Sequence, residues 1–370
     1  MSAWAVVRHE FESRHVQSFL LWMAFQTGQP VDAAGSAPLV YSIVFGRQRR
    51  SWTIPRGGSG ELARVLVEVI ERGGGEVLLD RRVIALVLDA GRCTGVVTDD
   101  GERHIARQAV LSTIHVKQLV EMAPQDAWGA DFLYAVDTYD EGVSAFAAHY
   151  ATTVPPRYPL RDGGEIEAVS AGVAGWPEDI LRMGRDVREG RLVLDGAWLL
   201  FPAPTVADPT RAPAGRHTVK ILGMQPYDPG GGPELWTGLR ERIAAVQLEH
   251  LRRAAPNLTD ETILAELIVS PVDLERSNPH MWHGTFHGGD RSLANSGALR
   301  PAPGWAQHRM PIPGLYQTGG TTHPGGSVTG APGRNAAIVM LADLGQDPTT
   351  VMANARRTDT HAPPRALRTG

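Results

Sequence analysis

Residues 319–337, GGTTHPGGSVTGAPGRNAA, constrain this chain more than any other stretch: six glycines, two prolines and one histidine lead into an alanine-rich helical pattern. The preceding HRMPIPGLYQT (308–318) reads as a loop and a short buried strand. Strand, glycine-rich loop and helix in that order bring backbone N–H groups against an anion or a cofactor. Glycine admits close approach, and the first turn of a helix has unpaired N–H donors. An ordinary strand-to-helix turn has the same local pattern. Dinucleotide-binding loops of this kind open a βαβ unit, whereas this one lies near residue 320, which raises the question of where the first half of such a site is.

At 370 residues and 42% hydrophobic, the chain is long enough to bury a full core, in two domains or one large one. Its 41 glycines and 27 prolines fit many short strands and tight turns rather than a helical bundle. A net charge of −4 gives no electrostatic case for nucleic acid or an anionic membrane as partner. The single cysteine, Cys93, excludes an internal disulfide framework and a multi-cysteine metal site, so a reducing, cytoplasmic setting is the expectation. MSAWAVVRHEFESRH lacks the basic and apolar regions of a secretory signal. The apolar runs FLLWMAF (19–25) and LVYSIVF (39–45) fall short of the roughly 20 residues of a spanning helix. Peripheral membrane contact, through substrate or electron acceptor, stays open.

Residues 10–26 place Val16, Phe19, Leu20 and Met23 on one face of an amphipathic helix, and TGQPVDAAGSAP follows as a loop. From Pro55 the chain reads turn, helix, strand, strand, hairpin, strand, strand. Leu62, Val65, Leu66, Val69 and Ile70 make a helical stripe that Gly73, Gly74 and Gly75 stop. EVLLD, VIALVLD and CTGVVTD read as strands, and AVLST (109–113) as a short buried one. VSAFAAHYAT (143–152) and HTVKILGMQPY (217–227) also read as strands. WTGLRERIAAVQLEHLRRAA (236–255) is the strongest helix, with Leu239, Ile243 and Val246 on one face, and DETILAELIVSP (260–271) is a helical turn running into a strand. The polar, proline-bearing tail from 354 is expected to be disordered.

Three stretches, in order and spacing, resemble the phytoene desaturase-like flavoproteins, relatives of the amine oxidases. They are PRGGSGELARVLVEVIERGGGEVLLDRRVIALVLDAGRCTGVVTDDGE (55–102), SPVDLERSNPHMWHGTFHGGDRSL (270–293) and RPAPGWAQHRMPIPGLYQTGGTTHPGGSVTGAPGRNAA (300–337). The resemblance implies an α/β fold: a partial FAD-binding domain of the glutathione reductase-like kind, plus an α+β substrate domain with a mixed or antiparallel sheet. The implied organisation is a helical substrate-side segment at 1–51, FAD-domain portions at 52–118 and 305–347, a substrate-binding domain at 119–304 and a tail at 348–370.

The sequence departs from that family in one respect. Family members open with a βαβ unit carrying G-x-G-x-x-G and an acidic residue for the ribose. Here no G-x-G-x-x-G follows a strand in the first hundred residues, and RGGSGE precedes a helix without that strand. The expectation is that the pyrophosphate half of the FAD site is absent from this chain and comes from a second subunit carrying that segment.

By resemblance, the loop containing Gly319, Gly320, His323, Pro324, Gly325, Gly326, Val328 and Gly330 approaches the flavin ring. The helix after Gly330 points its N-terminus at the pyrimidine side, with Asn335 as a side-chain donor. Arg56, Gly57 and Gly58 resemble the family's helix start beside the flavin, and Val83 the position whose main chain meets the adenine. His323 is the titratable side chain of the loop and the one candidate for proton transfer. Hydride removal from a hydrocarbon needs no base, so a turn-shaping role is the favoured expectation. Trp22, Phe25, Phe146, Tyr150, Trp282 and Phe286 are candidates to line an apolar substrate cavity. His280, His283 and His287 lack a zinc-ligand spacing, so no metal is expected. The leading expectation is a subunit of a FAD-dependent oxidoreductase that makes a C=C bond in an apolar, terpenoid or alicyclic substrate. A non-catalytic paralogue stabilising an active flavoprotein, and a truncated fragment, are the alternatives.

Overall fold

The computed structural model describes residues 1–49 and 53–353. The expected junction at 50–52 and the expected disordered tail from 354 lie outside the described residues. The backbone forms two compact units: Met1–Asp80 with Asp140–Asn295, and Arg81–Tyr139 with the described residues from Ser296 onward.

The first unit is built on a five-stranded antiparallel sheet. In spatial order its strands are Ile263–Val269, Ser144–Thr152, His217–Gln225, Trp198–Pro202 and Ser170–Ala174. The second and third pair without a register break, from His217 opposite Thr152 to Gln225 opposite Ser144. Alternation along each strand then decides what each face carries. Phe146, Ala148, Tyr150, Val219 and Ile221 fall on one face and pack with Trp236, Ile243, Ala244 and Leu251 of the helix Trp236–Ala254. At one end of the opposite face, Trp198 and Met224 pack with Leu20, Leu21 and Phe25 of the helix Arg14–Phe25 and with Ile180 and Met183 of the helix Pro177–Arg188. Trp22 completes this cover. Its ring stacks on Trp198 with centroids 5.9 Å apart and fills the space over Gly172, where a Cβ would come within 2.4 Å of it.

The structure corrects several local expectations. The helix expected over 10–26 spans Arg14–Phe25, and a separate helix that the sequence reading did not anticipate, Ala3–Glu10, precedes it. Of the four residues expected on the apolar face of Arg14–Phe25, Leu20 and Met23 are buried, together with Gln17, Leu21 and Ala24, while Val16 and Phe19 are exposed. The two faces differ by a small rotation, and packing against Trp198 and Ile180 selects between them, a tertiary preference that periodicity does not contain. LVYSIVF lies inside a further helix, Ala37–Arg49. EVLLD pairs with no strand among the described residues, and Leu78 and Leu79 are exposed. The stripe of Leu62, Val65, Leu66, Val69 and Ile70 does form, on the helix Gly60–Arg72, yet those five side chains are 42–56% exposed.

The second unit combines an antiparallel meander (Val83–Asp89, Arg92–Thr98, Arg103–Ile105) with a two-stranded parallel pair, Val110–Ser112 and Leu315–Gln317. Its core gathers Cys93, Val116, Leu119, Trp128, Phe132, Val136 and Leu315. Burial raises the Cys93 thiol above its ordinary range, which makes this cysteine a packing residue rather than a reactive one. Among the described residues no helix is long and apolar enough to cross a membrane.

Candidate functional site

In the second unit, the strand Leu315–Gln317 runs through the glycine-rich loop into the helix Ala331–Asp343, as the sequence predicts. The first half of that loop is fixed. Thr318 N–H donates to the Ser112 carbonyl at 2.8 Å, Thr322 N–H to Gly319 at 3.1 Å and Gly325 N–H to Thr322 at 2.7 Å, while Thr321 and Thr322 are fully buried. The Thr318 hydroxyl is buried with no hydrogen-bond partner among the described residues. Gln317 donates its amide to the Ile114 carbonyl at 2.6 Å. The second half is open: Ser327, Thr329 and Gly330 are exposed, and Val328 is 88% exposed.

Arg300 supports the fixed half from below. It is 1% exposed and donates through Nε and Nη2 to the Gly320 carbonyl, at 3.1 and 2.5 Å. Its guanidinium also lies 5.7 Å from the centroid of the Tyr139 ring. Gly325 has φ +94°, and a Cβ there would stand 3.2 Å from the Arg300 guanidinium carbon. Only glycine lets the loop close down on this arginine. Arg300 sits in RPAPG with no motif to mark it, and sequence reasoning missed its part.

Gly330 enters the helix Ala331–Asp343 in the left-handed region, at φ 67°, and the helix has no side-chain cap bonding at that residue and no acidic residue in its first turn. The Thr329 hydroxyl accepts from Ala331 N–H at 3.2 Å, Pro332 has no N–H, and Arg334 N–H donates to the Gly330 carbonyl at 3.0 Å. This end therefore offers the positive pole of the helix, with Gly333 in its first turn, to a group that accumulates negative charge. Asn335 donates to the His323 carbonyl at 3.5 Å, so it ties the loop to the helix. His323 itself is exposed. Glycine backbone, a helix N-terminus free of acidic residues and a partnerless buried hydroxyl together fit the ring side of a flavin. Val83, also in this unit, is half-buried and pairs with Thr98.

Arg56, Gly57 and Gly58 belong to the first unit, in the turn before the helix Gly60–Arg72. Gly57 and Gly58 have φ +88° and +129°. A clamp that the sequence did not reveal holds this turn. The Asp208 carboxylate accepts from Gly57 N–H at 2.8 Å, from the Thr210 hydroxyl and from Arg211 Nε, and Arg211 Nη2 donates to the Pro55 carbonyl at 2.6 Å. The Thr210 hydroxyl first, then the Gly57 amide, hold the Asp208 carboxyl down at about 2. A depressed carboxyl stabilises the native state above its unfolded value of about 4 and loses that contribution as pH falls toward 2. Asp208→Asn is therefore expected to speed hydrogen exchange at Gly57 about tenfold at pH 7, given the strength of hydrogen bonds to charged groups. In the parent protein the same amide should lose protection only between about pH 4 and pH 2. Exchange measured by NMR or mass spectrometry across that range checks both.

The open end of the five-stranded sheet forms a cavity of about 1080 Å³, lined among others by Ile54, Val169, Pro202, His149, Lys220 and Leu267. Most of the aromatic candidates are elsewhere. Phe25 and Phe146 have their rings in the two cores, and Tyr150 borders the sheet cavity while its side chain packs in the core against the helix Trp236–Ala254. Trp22 lines a separate cavity of about 660 Å³ with His15, Phe19 and Trp176. His283 contacts Glu141 at 2.6 Å and stacks on Tyr227 with centroids 4.4 Å apart.

The chain is 27% identical to mouse pyridine nucleotide-disulfide oxidoreductase domain-containing protein 2 over 303 residues, 80% of this chain and 52% of that protein. It is 26% identical to a limonene dehydrogenase subunit of Castellaniella defragrans over 352 residues, 90% of this chain and 63% of that one. To the lycopene-forming phytoene desaturase of a Paracoccus species it is 25% identical over 315 residues, 84% of this chain and 59% of that enzyme. The chain thus spans between about half and two-thirds of the length of these relatives. A solved oxidoreductase from Methanosarcina mazei superposes with a TM-score of 0.59 at 17% identity, over 93% of this chain and 68% of that one, which shows a shared fold. Residues 2–337 match the family described as flavin containing amine oxidoreductase. With its phytoene desaturase-like relatives, its α/β fold and a strand–glycine loop–helix suited to FAD, this chain belongs to the flavin containing amine oxidoreductase family.

Proposed function

We propose that this chain carries the ring-side half of the FAD site and the substrate cavity of an oxidoreductase. The reaction is a two-electron oxidation of an apolar, terpenoid or alicyclic substrate: a hydride leaves one carbon, a proton leaves its neighbour for solvent water, and a C=C bond remains. Bound FAD supplies the hydride acceptor. In this reading the chain's own groups hold and orient. Gly319, Gly320, Gly325 and Gly326 offer backbone at close range, the helix after Gly330 turns the positive end of its dipole toward developing negative charge, and Arg300 keeps the loop in place. The observation that carries the reading is this loop, built on a buried arginine and ending at a helix N-terminus with no acidic residue in its first turn.

The nucleotide-binding half, with its G-x-G-x-x-G segment, is assigned to a partner chain in the cytoplasm. Two features support a partner. The apolar stripe on the helix Gly60–Arg72 is exposed along its length, and contiguous apolar surface of this kind marks interaction sites. Among the described residues the parallel pair Val110–Ser112 and Leu315–Gln317 has two strands, with Leu111 exposed, whereas parallel sheets are normally wide and covered on both faces. One relative is named as a subunit of a limonene dehydrogenase, in keeping with a divided enzyme and an apolar substrate.

Val65→Glu with Val69→Glu tests the stripe. Both side chains are exposed, so the melting temperature of the chain alone should stay within about 2 °C of the parent, as for ordinary surface changes. Capture of a co-expressed dinucleotide-binding segment, read by size-exclusion chromatography with mass detection, should be lost. Undiminished capture would remove the stripe from the interface.

A further inference from the structure

The sheet cavity holds one group for which the oxidation of a plain hydrocarbon has no use. Of the 36 lysine and arginine residues in the chain only two are lysines, Lys117 and Lys220. Lys220 stands in the middle of the strand His217–Gln225, on the cavity face, directly opposite His149 of the neighbouring strand. Leu267 of the edge strand is in register with His149 from the other side, so the three share one face. Neither Lys220 nor His149 has a hydrogen-bond or ion-pair partner among the described residues. Burial holds the Lys220 ammonium below its ordinary range. The His149 imidazole is lowered by burial first and then by the charge of Lys220, which leaves it neutral and able to donate one N–H.

The other charged groups of the cavity do not answer that ammonium. Arg211 is committed to Asp208 and the Pro55 carbonyl. Glu266 borders the cavity too, but in register with Tyr150 its side chain alternates to the opposite face, where burial first and then the Glu266 charge raise the Tyr150 phenol. A cation half-withdrawn from water without a counter-charge is unfavourable until one arrives. Lysine is a compact point charge that a single carboxylate neutralises. Ile54, Val169, Pro202, Pro204 and Leu267 make the surrounding walls apolar, and the volume suffices for a molecule of drug size or larger.

We infer that Lys220, with His149 beside it, receives a carboxylate, so that the substrate of this cavity is an apolar molecule with one anionic end. The inference rests on taking the sheet cavity as the substrate site of the proposed oxidoreductase. It narrows the substrate class from hydrocarbons to apolar acids, held by the end at Lys220.

Titration of the full chain with dodecanoate and with dodecanol, by calorimetry at pH 7, tests it. The parent protein is expected to bind dodecanoate at least tenfold more tightly than dodecanol. Lys220→Met should reduce dodecanoate affinity at least tenfold and leave dodecanol unchanged, whereas Lys220→Arg should keep the preference for the acid. Survival of that preference in Lys220→Arg shows that the position tolerates substitution, so a loss in Lys220→Met reports charge rather than misfolding. Equal affinity for the two probes, binding of neither, or a preference for the acid that persists in Lys220→Met overturns the inference. The titration needs no flavin, so the two readings fail separately. Dodecanoate binding through Lys220 in a protein that never takes up FAD would sink the oxidoreductase reading alone. A flavin-loaded protein indifferent to the carboxylate would sink this inference alone.

Discussion

Replacing Arg300 with methionine is expected to destabilise the chain by about 2–4 kcal/mol, combining lost packing with a carbonyl left unsatisfied. The side chain is essentially fully buried, two of its donors converge on the Gly320 carbonyl, and its guanidinium lies over the Tyr139 ring. Methionine fills part of the volume but offers no donor, so the Gly320 carbonyl loses both bonds. Arg300→Lys keeps the charge yet cannot reproduce a planar fork, and most of the loss should remain. Denaturant unfolding gives the stability change, and limited proteolysis near residues 320–328 shows whether the loop loosens. A stability loss below about 1 kcal/mol, the size of an ordinary surface change, would mean that Arg300 does not support the loop.

Gly325→Val acts on the same contact from the other side. The backbone there has φ +94°, a region a β-branched residue adopts only under strain of about 1–3 kcal/mol, and the new Cβ would meet the Arg300 guanidinium at 3.2 Å. Either the loop lifts or the arginine moves. FAD retention by the assembled complex should fall at least tenfold while the first unit keeps its hydrogen-exchange protection. Because both substitutions disturb one contact, the double variant Arg300→Met, Gly325→Val should lose less stability than the sum of the singles. Full additivity would show that the two residues act independently.

What was legible in the sequence followed chain-local chemistry. The strand–loop–helix at 315–343, the central strands 144–152 and 217–225 and the helix 236–254 are all written in short periodic patterns and punctuating glycines. What was not legible depends on distant partners. The clamp on Gly57 comes from Asp208, 151 residues away, and ADPTR advertises only a local cap. Arg300 reads as a surface residue beside prolines until the loop folds onto it. The aromatic residues chosen for the substrate cavity went mostly to the cores, since burial of a large ring is the commoner fate. Lys220 carried a signal that was present but unread: a lysine in mid-strand, in a chain that otherwise relies on arginine.

The most direct test of the central claim is the flavin content of this chain, purified alone and together with a partner bearing a G-x-G-x-x-G βαβ segment, by absorbance and by mass of the complex. The account predicts a colourless chain alone and a yellow complex with one FAD per pair, its colour lost in Gly325→Val. A stable complex that stays colourless would contradict the assignment of the glycine loop to the flavin, and a yellow chain by itself would contradict the divided site.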